Sequence, residues 1–133
     1  LHAAADGKDE GVALGPVTFV EPGLPLSLRP ELEPGAAEDY LFIDRHGETG
    51  CRHEQPFFAW LVNGGGTLDS DYTFVADDGD LDEVTGRAKI NTLSVPVSSE
   101  FPVDGLDLWL VVRDRRGGLT WTSRRLLAFQ PAP

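Results

Sequence analysis

Phe57-Phe58-Ala59-Trp60-Leu61-Val62-Asn63-Gly64-Gly65-Gly66 and Leu108-Trp109-Leu110-Val111-Val112-Arg113-Asp114-Arg115-Arg116-Gly117-Gly118 decide the fold. Each is an apolar run of strand length that ends in turn residues, and a third run, residues 119–123, follows the second. Runs bounded this way are the sequence pattern of antiparallel hairpins. In the first, Phe58, Trp60 and Val62 point to one face and Phe57, Ala59 and Leu61 to the other. Both sets are apolar, which places this strand in the middle of a sheet.

Other strands follow outward from these two. Residues 12–20 place Val17 and Phe19 on one face, and Leu24, Leu26 and Leu28 alternate with Pro25, Ser27 and Arg29 at period two. Pro25 and Pro30 each lack a ladder donor, which predicts one open side for that strand. Residues 40–43, 72–76 and 90–97 are short candidates, residues 44–55 are polar and predict a loop, and residues 106–113 and 119–129 form a closing hairpin. No apolar period of 3.6 is sustained, so helix is not expected. Residues 1–11, rich in Ala, Gly and charge, are expected to be a flexible tail, and residues 12–130 one domain. The fold class expected is all-β, an antiparallel sandwich of seven to eight strands.

The closing hairpin also predicts a surface. A two- or four-residue turn after Arg113 would face Leu110 with Trp121 and Val112 with Leu119. Phe58, Trp60, Leu108, Leu110, Val112 and Trp121 would then share the core. On the outer side Asp107 would meet Arg124, Trp109 would meet Thr122, and Val111 would meet Thr120. The candidate protein-binding residues are therefore Trp109, Val111, Thr120, Thr122 and Arg124, an aromatic beside β-branched and basic side chains.

Charge narrows the partners. With 22 acidic and 11 basic residues the chain carries a net charge of −11, which repels phosphate backbones and anionic membrane surfaces. No run reaches the ~18 apolar residues of a membrane span, so no membrane insertion is expected. Residues 69–83 hold acids and no base, whereas Arg113, Arg115, Arg116, Arg124 and Arg125 crowd the C-terminal hairpin. Opposite charge at two ends of one module allows head-to-tail assembly. Cys51 is the single cysteine and excludes an internal disulfide. His2-Ala3-Ala4-Ala5-Asp6 resembles the end of a signal-peptidase site and points to export.

Trp60 with Asn63-Gly64-Gly65-Gly66-Thr67-Leu68-Asp69, then Asn91-Thr92-Leu93-Ser94-Val95-Pro96, then residues 108–121 from Leu108 to Trp121, come in an order that resembles the bacterial Ig-like, PKD-like modules of secreted and surface lipoproteins. The likeness covers roughly residues 12–130. It implies an Ig-like sandwich and a non-enzymatic structural or adhesive module located outside the cell, at its surface or in the periplasm. Residues 77–87 and 44–55 depart from the pattern, and loops are where a private function sits.

Chemistry is otherwise thin. His46, Cys51 and His53 are ligand types, but they lack a fourth partner and any zinc spacing. Asp69, Asp71, Asp78, Asp80 and Asp82 are weak calcium candidates: Asp78, Asp80 and Asp82 alternate as at the start of an EF-hand, yet Gly79 sits second instead of sixth and no glutamate stands twelfth. No serine has a nucleophile-elbow context or a neighbouring histidine. The expectation is no cofactor, no catalysis, and a protein partner that includes copies of the chain or its parent assembly. The alternative is a small ligand-binding module, for carbohydrate or calcium, using Trp109 or the acidic loop 69–83.

Overall fold

In the strand that runs from Leu106 to Arg113, Leu106, Leu108 and Leu110 are buried and Val112 packs against them, while Asp107, Trp109, Val111 and Arg113 turn the other way. Everything else is arranged about this alternation. The computed structural model describes residues 2–4, 12–32, 38–74, 90–114 and 116–129, and among them there is no helix.

The strands are β1 (His2–Ala4), β2 (Val12–Ala13), β3 (Val17–Val20), β4 (Pro25–Arg29), β5 (Asp39–Ile43), β6 (Thr49–His53), β7 (Phe57–Val62), β8 (Thr67–Leu68), β9 (Tyr72–Phe74), β10 (Asn91–Ser94), β11 (Leu106–Arg113) and β12 (Leu119–Ala128). One five-stranded sheet has the order β2-β1-β4-β10-β8 and a second the order β3-β12-β11-β7-β9, while β5 and β6 pair only with each other. Among the described strands all pairings are antiparallel except that of β3 with β12. Leu28 and Leu93 of the first sheet share one core cluster with Phe58, Trp60, Leu106, Leu108, Leu110 and Leu126 of the second. The chain is thus all-β and sandwich-like, two sheets packed through their apolar faces.

Trp60 is 3% exposed, and its indole N–H donates to the Thr73 hydroxyl at 2.9 Å, which satisfies the one polar group the ring carries into the core. Asn63 ties the end of β7 to β11: its side-chain oxygen accepts from the Asp107 N–H at 2.7 Å. At Gly105 φ is +87°, and a Cβ there would lie 2.5 Å from the Leu126 carbonyl oxygen, so the entry to β11 requires glycine.

Several expectations are corrected. Among the described residues there are twelve strand segments where seven to eight strands were expected, because pieces as short as β2 and β8 leave no readable period. Residues 2–4, expected in a tail, pair with β4. β4 has neighbours on both sides, β1 and β10. Pro25 is its first residue and Pro30 lies just beyond its last, so neither removes a donor from the strand's interior. Residues 44–55 are no simple loop, since Thr49–His53 is β6. The polar composition misled there because the hairpin lies outside the core.

The closing hairpin has a different register from the expected one. Val111 pairs with Trp121, Trp109 with Ser123, Asp107 with Arg125 and Leu108 with Arg124. The connection between the paired Arg113 and Leu119 is residues 114–118, one longer than the four-residue turn. Asp114 builds it: its Oδ1 accepts from the N–H groups of Arg116 at 2.7 Å and Gly118 at 2.8 Å, and Gly117 takes φ +101°. One added residue turns every side chain of the following strand over. Trp121 is therefore outside the core, 63% exposed.

Candidate functional site

The outer face of the β3-β12-β11-β7-β9 sheet gathers the chemistry that the new register exposes. Side chains paired across a sheet share a face, so Trp121, Val111, Ala59 and Tyr72 form one row across β12, β11, β7 and β9. Three strand spacings make that row about 14 Å wide. Ser123, Trp109 and Leu61 form the next row, and Leu119, Arg113 and Phe57 the one on the other side. Trp121, Tyr72, Leu61 and Leu119 are exposed, and Trp109 and Val111 are half-buried. A groove of about 630 Å³ runs over Ala59, Leu61, Tyr72, Val111 and Arg113, with Asp71 also lining it.

Charge on this face is sparse. The Arg125 guanidinium donates to both carboxylate oxygens of Asp107, at 3.0 and 3.2 Å. That contact holds the Asp107 carboxyl below its ordinary value and raises Arg125. Arg113 is exposed and forms no ion pair among the described residues. Asp114, beside it, is held below the usual carboxylate range chiefly by the Arg116 N–H.

Of the five candidate residues, Trp109 and Val111 lie on this face. Thr120, Thr122 and Arg124 do not: they pair with Val112, Leu110 and Leu108 and point to the inner side. There Arg124 donates from Nε to the Leu14 carbonyl at 2.9 Å. The residues missed were Trp121, Tyr72, Leu61, Leu119 and Arg113. A usable signal was present, because Asp44-Arg45-His46-Gly47-Glu48 and Asp114-Arg115-Arg116-Gly117-Gly118 follow one pattern. Asp44 Oδ1 likewise accepts from the second and fourth N–H after it, at 2.8 and 2.9 Å, and Gly47 has φ +80°. Both close five-residue connections, between Ile43 and Thr49 and between Arg113 and Leu119.

The β5–β6 hairpin is a second feature. Leu41 and Ile43 are 76% and 73% exposed, and no residue of the hairpin joins the core. Its root is tied by Glu54, 8% exposed, whose carboxylate accepts from Arg116 at 2.7 Å and from the Glu38 N–H at 3.1 Å. The Arg116 guanidinium also lies 4.6 Å from the Tyr40 ring centroid.

His46 sits in the turn of this hairpin, and Cys51 and His53 on β6, with His53 Nδ1 2.7 Å from Asp39. Among the described residues no three His, Cys, Asp or Glu side chains converge as metal ligands. Asp69 and Asp71 flank β8 and β9, and Asp78, Asp80 and Asp82 lie outside the described residues. No described helix is long and apolar enough to cross a membrane. No family model, curated protein or solved structure matches the chain.

Proposed function

We propose that the chain is a non-catalytic Ig-like interaction module that binds protein through the outer face of the β12-β11-β7-β9 sheet, as a structural or adhesive part of an exported bacterial surface protein. The observation that carries the reading is that face: Trp121, Tyr72, Leu61 and Leu119 open to water beside the half-buried Trp109 and Val111, in contiguous rows. Monomeric soluble proteins seldom leave such a patch uncovered unless it binds something, and aromatic residues with arginine are the composition of interface centres.

Sheet order supports the Ig-like part. Such sandwiches set strands B, E and D in one sheet and G, F, C and, in variable-type domains, C′ in the other, with a buried Trp on C. β4-β10-β8 and β12-β11-β7-β9 fit those places, and Trp60 is on β7. One departure stands: β8 precedes β9 in the chain, where the Ig order has C′ before D. Export rests on the resemblance.

The test is site-specific photo-cross-linking in the cells that make the protein, with a benzophenone amino acid at position 121 and, as control, at exposed position 99. The reading requires a protein adduct from position 121 and none from 99. Binding of a soluble glycan that Trp121→Ser abolishes, with no protein adduct, would favour the carbohydrate reading, to which the flat aromatic row also lends itself.

A further inference from the structure

We propose that the open edge of β3 takes up a short extended segment of another protein as an added antiparallel strand, with a basic residue opposite Glu21 and apolar residues opposite Phe19 and Val17. The site is the free edge of the sheet and stands whether or not the outer face binds protein.

The backbone of β3 names the occupant. In its parallel ladder with β12, the Arg125 N–H donates to the Pro16 carbonyl at 2.9 Å and the Phe129 N–H to the Val20 carbonyl at 2.7 Å. Backbone groups alternate sides along a strand, so Pro16, Thr18 and Val20 face β12, while Val17 and Phe19 direct both N–H and C=O out of the sheet. Those outward groups have no partner among the described residues. Edge strands are ordinarily blunted by charge or proline, and Val17–Val20 contains neither. Donors and acceptors at strand spacing are met by another extended backbone, the mode in which a peptide adds a strand to a sheet.

Side chains and charge set what that segment carries. In antiparallel register Val17 and Phe19 each exchange both bonds with one partner residue, whose side chain falls on the same side of the sheet. That side is apolar: Phe19, Leu127 and Phe129 lie together there, and Val17, Phe19 and Phe129 are exposed. Glu21 follows β3 directly, is exposed, and has no ion pair among the described residues. The bases on the stretch of β12 beside β3 are already engaged, Arg124 by the Leu14 carbonyl and Arg125 by both oxygens of Asp107. A base on the incoming segment therefore meets an unpaired carboxylate in a chain of net charge −11. The same net charge sets two copies of this chain against each other, so the segment belongs to a different, basic partner.

Amide NMR of the isotope-labelled full chain tests this with a capped synthetic peptide, Thr-Lys-Thr-Phe-Thr-Val-Thr, raised to about 5 mM. The Val17 and Phe19 amides should shift and gain protection from hydrogen exchange, with a dissociation constant on the order of 1 mM for so short a chain. Val17→Pro removes an outward donor without touching a bond to β12, and should weaken binding about tenfold or more. The same peptide N-methylated at its phenylalanine should not bind, a control that leaves the protein unchanged. Glu21→Lys should weaken the lysine peptide and favour one with glutamate in its place. No shift at either amide by about 5 mM overturns the proposal, as does an N-methylated peptide that binds equally well or a Glu21→Lys chain with unchanged preference. Shifts centred on Trp121 and Tyr72 overturn it while sparing the outer face as a binding surface. Shifts at Val17 and Phe19 on concentrating the chain alone overturn it in favour of edges that pair with each other.

Discussion

Truncating Trp60 probes the account where sequence, packing and fold meet. The ring is almost wholly buried, and Thr73, which accepts its indole N–H at 2.9 Å, is 6% exposed. Trp60→Ala removes a core aromatic flanked by Phe58 on its own strand and paired with Leu110 of β11, at a cost of about 3–5 kcal/mol for a truncation of this kind. A domain of ordinary stability, about 5–15 kcal/mol, would lose about a fifth of it or more. Trp60→Phe separates the two contributions. It keeps most of the apolar contact but strands the Thr73 hydroxyl, which costs about 1–3 kcal/mol. Adding Thr73→Val to Trp60→Phe removes that orphan and should recover about 1 kcal/mol. Urea denaturation followed by far-ultraviolet circular dichroism reads all four proteins without depending on Trp60 fluorescence. A loss below about 1 kcal/mol for Trp60→Ala, or a double variant no more stable than Trp60→Phe, would refute this packing.

Further outcomes follow from the geometry. Asp107 has its carboxyl pKa depressed by Arg125, so its ionised form favours the fold at neutral pH, and that contribution disappears as pH falls below the ordinary 3.8 through the folded value. Asp107→Asn should cost no more than about 1 kcal/mol near neutrality, and its melting temperature should converge with that of the wild type in acid; a gap that widens there would contradict the pairing. Gly105→Ala should destabilise far more than Gly117→Ala, because a Cβ at Gly105 meets the Leu126 carbonyl while at Gly117 it meets open space; chemical denaturation decides, and equal losses would contradict it. Arg116→Met should speed amide hydrogen exchange across β5 and β6 while leaving β7 and β11 protected, since it cuts the clamp on Glu54; unchanged exchange in the hairpin would show that the clamp does not hold it.

The central strands were legible because their residues obey one rule at a time. β7 and β11 alternate or run apolar over six to eight residues, and the burial of Phe58, Trp60, Leu108 and Leu110 follows from period two alone. The outer side of β12 was not legible for the opposite reason. Thr120, Thr122 and Arg124 face inward and Trp121 outward, so composition argues against the true orientation, and the deciding fact is the length of a turn. That length was written in Asp114 and Gly117 and repeated in Asp44 and Gly47, but it becomes readable only when the two loops are compared. β5 was legible in residues 40–43, but β6 was missed because its polarity suits a loop, and what makes the pair a hairpin is local: an Asp-capped turn and an aromatic ring laid over Gly50. Chain-distant pairings such as β3 with β12 leave no local trace at all.

Hydroxyl-radical footprinting of the purified chain, and of the same chain in the cells that make it, tests most directly whether the outer sheet face is a binding surface. In the purified protein at low concentration Trp121 and Tyr72 should be oxidised rapidly and Trp60 scarcely at all. In the cell Trp121 and Tyr72 should be protected severalfold while Val103, 100% exposed at the far turn, stays as reactive as before. Equal oxidation of Trp121 and Tyr72 in both settings would contradict the assignment of this face to an interface.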